Sequence, residues 1–237
     1  MTKYDLLLIP TGSFEQHGPL LGYDTDSLIA ETITEKVSEY LKVSNIKLPC
    51  IPYGISKEHK DFYLNGSVQS LSYFNYIKDL FLSLIETSNP KLIALINGHG
   101  GNINILSAVS NDLNYDYKSK VVLFHIFNKQ VNQKAEELFK LTDTHAGTVE
   151  TSIYYFLKNI QKNEILSNPE YKKKITSGLQ LFRTKELTTT GVINDSENVE
   201  IDTDKGKKLF NFIVQDLADK ISEMLLKIET IHKEANG

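Results

Sequence analysis

The chain has 237 residues, 41% of them hydrophobic and 24% charged, with a formal net charge of −4. This is the composition of an ordinary globular protein, long enough for one large domain. The acidic balance argues against a nucleic-acid footprint, and no apolar run approaches the length of a membrane span. A single arginine, Arg183, excludes a cluster of arginine forks for phosphate or carboxylate within one chain. The lone cysteine, Cys50, excludes an intrachain disulfide and reads as a buried structural thiol. The opening apolar run is too short for a signal sequence, so a cytoplasmic location is expected.

Short apolar runs alternate with longer helical patterns. Residues 6–9 (Leu-Leu-Leu-Ile) read as a buried strand. Residues 26–41 read as a helix, with Leu28, Ile29, Ile33, Val37 and Leu41 at helical spacing. A second strand is expected over 46–51, a helix over 72–88, a third strand over 92–96 and a fourth over 121–127. Helices follow at about 103–114, 129–141 and 149–160, and a long amphipathic stripe from Leu209 to Ile228 marks the tail, 205–233. The stretch 168–204 is polar, Thr-rich and the least regular, and reads as a surface excursion, with a lid or an oligomer contact as alternatives.

Strands alternating with helices imply parallel pairing with helical crossovers, and runs apolar on both faces imply a sheet covered on both sides. One α/β domain over 1–237 follows. Ligands of such sheets bind beyond the carboxyl ends of the strands. Three motifs fall there or at a neighbouring helix start. The first, Glu15-Gln16-His17-Gly18-Pro19, follows the first strand and is itself followed by Asp26. The second, Asn97-Gly98-His99-Gly100-Gly101-Asn102, follows the third strand. The third is His145-Ala146-Gly147-Thr148-Val149-Glu150. His125 closes the fourth strand, and of six histidines only His232 lies away from a candidate site loop.

Imidazole and carboxylate in these numbers suit divalent metal, and a two-metal site can polarise a carbonyl and lower the pKa of a bound water, which is the chemistry of amide hydrolysis. Glu15 and His17, alternate residues of an extended segment, point to one side. Asp26 is either a helix N-cap or a metal ligand. His99 sits between glycines, and Gly100 and Gly101 can offer backbone N–H groups to a developing oxyanion. Thr148 is a plausible N-cap, and Glu150, in the first turn, either complements the helix dipole or serves the site. His145, in an Ala-Gly setting, reads as a general acid/base or substrate contact. Glu58 and His59 are either solvated loop residues or, for His59, part of the site.

Together with Tyr53-Gly54, Glu58-His59 and Asp143-Thr144-His145-Ala146-Gly147, these motifs resemble the creatininase family of metal-dependent amidohydrolases over most of the chain. The Gly-Gly of the second motif resembles the branch that includes archaeal formamidopyrimidine-nucleotide deformylases. The resemblance implies a three-layer α/β/α sandwich with a mostly parallel central sheet. It further implies a homo-oligomer, a hexamer built as a trimer of dimers, and two divalent ions per subunit, zinc foremost, with manganese or iron as alternatives. One ion would be held by Glu15, Asp26 and His99, the other by His17 and a bridging Asp26. Creatininase has a metal-binding glutamate where this chain has Gly101, and Glu150 is the best substitute. Creatininase also has a glutamate where this chain has Thr144 and a tryptophan-lined pocket, whereas this chain has no tryptophan, so creatinine is not the expected substrate. The resemblance implies hydrolysis of a non-peptide C–N bond in a small-molecule amide, formamide or cyclic amide. The alternatives are hydrolysis of a cyclic, inositol-derived ketone and a non-catalytic metal-binding member of the fold. His59, Gly100, Gly101 and His125 are the candidate substrate contacts.

Overall fold

Alternate residues of the first apolar run face opposite ways, and both sides are buried. In β1 (Leu6–Thr11), Leu6 and Leu8 join one core while Leu7 and Ile9 join another. β3 (Leu92–Asn97) repeats the pattern, with Leu92, Ala94 and Ile96 on the first side and Ile93 and Leu95 on the second. Side chains of this size contribute about 1.5–3 kcal/mol each on full burial, so both faces need cover. α1 (Thr25–Tyr40), α4 (Lys129–Phe139), α5 (Thr148–Leu157) and α7 (Thr203–Glu234) supply the first layer through Ile29, Ile33, Val131, Val149, Ile153, Leu209 and Ile213. α2 (Ser70–Ser88) and α3 (Ile103–Asp116) supply the other through Tyr73, Ile77, Phe81, Leu106 and Val109. The result is the expected α/β/α arrangement.

This computed structural model describes residues 3–141, 143–160, 165–167, 182–194, 196 and 198–234. β1, β2 (Asn45–Lys47), β3 and β4 (Lys120–His125) form a parallel sheet in the order β2-β1-β3-β4. The connection leaving β1 crosses by α1 on one face, and those entering and leaving β3 cross by α2 and α3 on the other. Neighbouring β1 and β3 are therefore the point where the winding reverses, and the crevice beyond their carboxyl ends is the ligand-binding position of such folds. Their register pairs Thr11 with Asn97 at that edge. Among the described residues, two small antiparallel pairs lie outside the sheet. β5 (Asp143–His145) pairs with β7 (Ile193–Asn194), and β6 (Ile165–Ser167) pairs with β8 (Asn198–Glu200). A short helix, α6 (Thr184–Leu187), precedes β7.

Several boundaries differ from the sequence reading for local reasons. The strand expected over 46–51 ends at Lys47, because Pro49 has no N–H to donate. Leu48 and Ile51 still donate to Leu8 O and Pro10 O, so the chain stays alongside β1. Asp26 lies inside the first turn of α1. Its N-cap is Asp24, which makes no side-chain capping bond, so the cap reading of Asp26 fails. Gly147 rather than Thr148 is the N-cap of α5. Cys50 is half-buried rather than buried, and burial, with Glu31 nearby, pushes its thiol up to about 12, leaving it inert. Gly206 lets α7 run against α5: a Cβ there would overlap the backbone of Ser152 and Ile153. That contact fixes the helix carrying Glu150. Among the described residues no helix is long and apolar enough to cross a membrane.

Candidate metal centre

Two asparagines build the edge of the sheet into a site. Asn97, the last residue of β3, accepts from Thr11 Oγ1 at 3.0 Å through its Oδ1 and donates to His99 O at 2.6 Å. Asn102 donates to Gly12 O at 2.9 Å and accepts from Ile55 N at 3.0 Å. The loops after β1 and β3 and the segment around residue 55 are thereby tied together. They carry Glu15 and His17, His99, and His59 respectively. α1 brings Asp26 and α5 brings Glu150. His145 arrives at the end of β5, next to Ala146, which sits in the left-handed region at φ 53°. That strained backbone is held by Glu150 Oε2, which accepts from Ala146 N at 2.6 Å. Glu150 therefore has a structural duty with one oxygen, as its first-turn position suggested.

Among the described residues the potential ligand atoms converge in three overlapping groups, each within 4.8 Å: Glu15, Asp26 and His99; His17, His145 and Glu150; and Glu15, His59 and His145. Glu15 is fully buried and Asp26 and His17 nearly so. Asp26 Oδ1 lies 3.1 Å from His17 Nε2, and Oδ2 lies 2.9 Å from His99 Nδ1. Both Glu15 oxygens have ring nitrogens nearby, His59 Nε2 at 3.2 Å and His99 Nδ1 at 3.4 Å. Yet neither Glu15 oxygen, nor Asp26 Oδ2, is aligned for a hydrogen bond with any described residue. Buried carboxylate oxygens left this way are costly, and ligand atoms gathered this closely suit a cation between them. The mixed imidazole and carboxylate set fits zinc, manganese or iron. The far nitrogens support this. His17 Nδ1 donates to Glu15 O at 3.2 Å and His99 Nε2 to Ile55 O at 2.7 Å, the outer contacts that orient metal-binding imidazoles.

The charges are strongly coupled. Burial, the largest single influence, would raise the carboxyl of Glu15, but His99 and His59 together outweigh it and hold the group at about 2. Burial likewise opposes ionisation of Asp26, and His17 and His99 hold it well below the usual carboxylate range. Burial would lower His17 and His99, but Asp26 and Glu15 drive each up to about 10, with Glu150 also acting on His17. Protons on these two imidazoles thus neutralise a cluster that calls for bound positive charge. His145 goes the other way: burial, then His17 and His59, push it well below the usual histidine range, so it is neutral.

An open cavity of about 1060 Å³ reaches the cluster from outside. Glu15, His59, His99 and His145 line it, as do Gly100 and Gly101, while His17 and Asp26 are buried against these residues. His59 is buried, not a solvated loop residue. His125 is not at this surface. Its ring sits behind the site with Nδ1 3.0 Å from Asn97 O, and burial lowers its pKa. The part of 168–204 read as a surface excursion that is described here returns to the cavity: Phe182, Arg183, Thr184, Leu187 and Ile193 form one wall. Residues 168–181 lie outside the described residues. Arg183, opposite Asp61 at 2.9 Å, and Gln16, buried among the histidines, had drawn no functional reading. Gln16 was visible as the middle residue of Glu-Gln-His, whereas nothing local marks Arg183.

Fold and site define a three-layer α/β enzyme of the hydrolase class. Residues 1–221 match the model of the creatininase family, described as creatinine amidohydrolase, and the chain belongs to that family. A mycofactocin precursor peptide peptidase from Mycolicibacterium smegmatis is 26% identical over 231 residues, covering 91% of this chain and 84% of that protein. A 2-amino-5-formylamino-6-ribosylaminopyrimidin-4(3H)-one 5′-monophosphate deformylase from Methanobrevibacter smithii is 24% identical, covering 92% and 90%. Among solved structures, a manganese form of creatininase superposes with a TM-score of 0.73 at 18% identity, covering 93% of this chain and 91% of that one. A mutant creatininase of Zn–Zn type gives 0.70 at 19% identity, covering 93% and 90%.

Proposed function

We propose that this protein hydrolyses a non-peptide amide or formamide C–N bond in a small molecule, with two divalent ions per chain, zinc foremost. The observation that carries the reading is the buried set of Glu15 and Asp26 oxygens without aligned partners at the floor of an open cavity. Glu15, Asp26 and His99 would hold one ion, His17 and Glu150 the second, with Asp26 shared. Ions held there polarise a carbonyl and lower the pKa of water. The chain's own groups do the rest. Gly100 and Gly101 offer backbone N–H groups from the wall to a developing oxyanion. His145, neutral and facing both the cluster and the cavity, takes the proton of the attacking water and passes it to the leaving nitrogen. The names of the deformylase and creatininase relatives support a formamide or cyclic amide. Assembly as a homo-oligomer belongs to the same proposal, and exposed Tyr63, Leu71 and Tyr115 offer apolar surface for it.

The test is hydrolysis by zinc- and manganese-loaded protein of formamides, lactams, cyclic ureas and short peptides. Turnover of a formamide or cyclic amide is expected. Turnover of peptides alone would overturn the non-peptide assignment, and two bound ions with no turnover in any class would leave a binding protein. His145→Ala should lose roughly a hundred- to ten-thousand-fold in rate with its metal content intact. Because His145 also lies within reach of His17 and Glu150, elemental analysis of that variant matters as much as its kinetics. Loss of an ion would make His145 a ligand instead.

A further inference from the structure

We infer that Gln16 is a positioning residue that decides which nitrogen of His59 and of His145 carries hydrogen, so that His59 presents an N–H donor to the substrate and is not a metal ligand. This rests on the proposed function only for what the donor meets. The Gln16 amide has one possible orientation. Its Oε1 accepts from Gly18 N at 3.0 Å, and its Nε2 donates to Gly191 O at 3.2 Å. Turning the amide over would set donor against donor and oxygen against oxygen. Nε2 also lies 2.8 Å from His59 Nδ1, and an N–H at that distance requires a lone pair there. The ring hydrogen of His59 is therefore on Nε2, the atom nearer Glu15.

His145 is set the opposite way. Its Nε2 is 3.1 Å from Gln16 Nε2, but both amide hydrogens are already committed to His59 and Gly191. The same nitrogen lies 3.0 Å from Gln16 O, so it donates to that carbonyl and leaves its lone pair on Nδ1. His17, His99 and His145 thus each give an outer N–H to a backbone carbonyl, which leaves the inner nitrogen as the one that a bound cation would take in place of a proton. His59 alone is inverted, because its outer partner is a donor. The group of Glu15, His59 and His145, close enough by distance to hold a cation, lacks the lone pair it would need on His59. His59 lines the cavity, and its N–H, 3.2 Å from Glu15 Oε1, can turn from that carboxylate to the carbonyl oxygen or leaving nitrogen of a bound amide.

The test is a long-range proton–nitrogen imidazole spectrum of zinc-loaded protein labelled with nitrogen-15 in histidine, the His59 signals being identified by their loss in His59→Gln. The expected result is His59 Nδ1 at the downfield position of an unprotonated nitrogen and Nε2 at the protonated position. In Gln16→Glu, whose carboxylate accepts rather than donates, Nδ1 should move to the protonated position. A wild-type spectrum with hydrogen on Nδ1, or a His59 nitrogen shifted by zinc as a bound ligand, would overturn the inference. So would a folded Gln16→Glu variant that keeps the wild-type pattern. The wild-type spectrum decides the matter even if Gln16→Glu does not fold. It also reads His59 whether or not zinc binds or any amide is hydrolysed, so failure of the proposed function is seen separately.

Discussion

Asp26→Ala is expected to strip both ions from the protein while leaving its helices in place. Asp26 has an oxygen against one imidazole of each proposed ion, Oδ1 at 3.1 Å from His17 and Oδ2 at 2.9 Å from His99. Outer-shell changes at metal sites cost about 10–100-fold in affinity, and loss of a shared ligand should cost more than that at each ion. The helix should survive because Asp26 makes no capping bond. The metal-free protein supplies a second readout. His17 and His99 are raised from 6.5 to about 10, so the stability they contribute is complete below about pH 6.5 and is lost as pH rises through about 10. Removing Asp26 should flatten that alkaline loss. Elemental analysis, far-UV circular dichroism and urea midpoints between pH 6.5 and 10 read these effects. An Asp26→Ala protein that keeps both ions would show that the carboxylate is not shared.

Gly101→Glu, which restores the glutamate that creatininase carries, is expected to impair the site rather than complete it. A Cβ on Gly101 would overlap Ile55 O and crowd His99 Nε2, the two atoms joined by the 2.7 Å bond that orients His99. Any side chain must push that carbonyl aside. Such overpacking costs about 1–3 kcal/mol, and the freed His99 should lose about 10–100-fold in zinc affinity at the first ion. Gly101→Ala should show much of the same loss, because the obstruction begins at Cβ. Urea midpoints and zinc titrations of both variants give the answer. Tighter zinc binding by Gly101→Glu would mean that the loop yields and that Glu150 is not the replacement ligand. On the proposed assignment the second ion would draw its carboxylate from α5, because position 101 in the loop after β3 has room only for glycine.

The layers were legible in the sequence because they depend on local periodicity. Doubly apolar runs such as Leu92–Ile96 announce a sheet covered on both faces, and Ile29, Ile33 and Val37 announce the helix over it. The candidate ligands were legible because histidine and carboxylate recur together in the loops that follow the strands. What local pattern did not carry was distance across the fold. His145 and Gln16 meet across 129 positions, and neither the antiparallel pairing of β5 with β7 nor the return of 182–194 to the cavity has a periodic signature. The strand expected over 46–51 was drawn too long because its apolar content outweighed Pro49. His125 read as a site residue because it closes a strand at the right edge, but its ring turns to Asn97.

The central claim is that the cluster around Glu15 and Asp26 holds a pair of ions. Elemental analysis of protein stripped by chelator and reloaded with zinc, expressed per chain, tests it most directly. The account predicts about two zinc ions per chain. One ion or fewer after thorough reloading would contradict it.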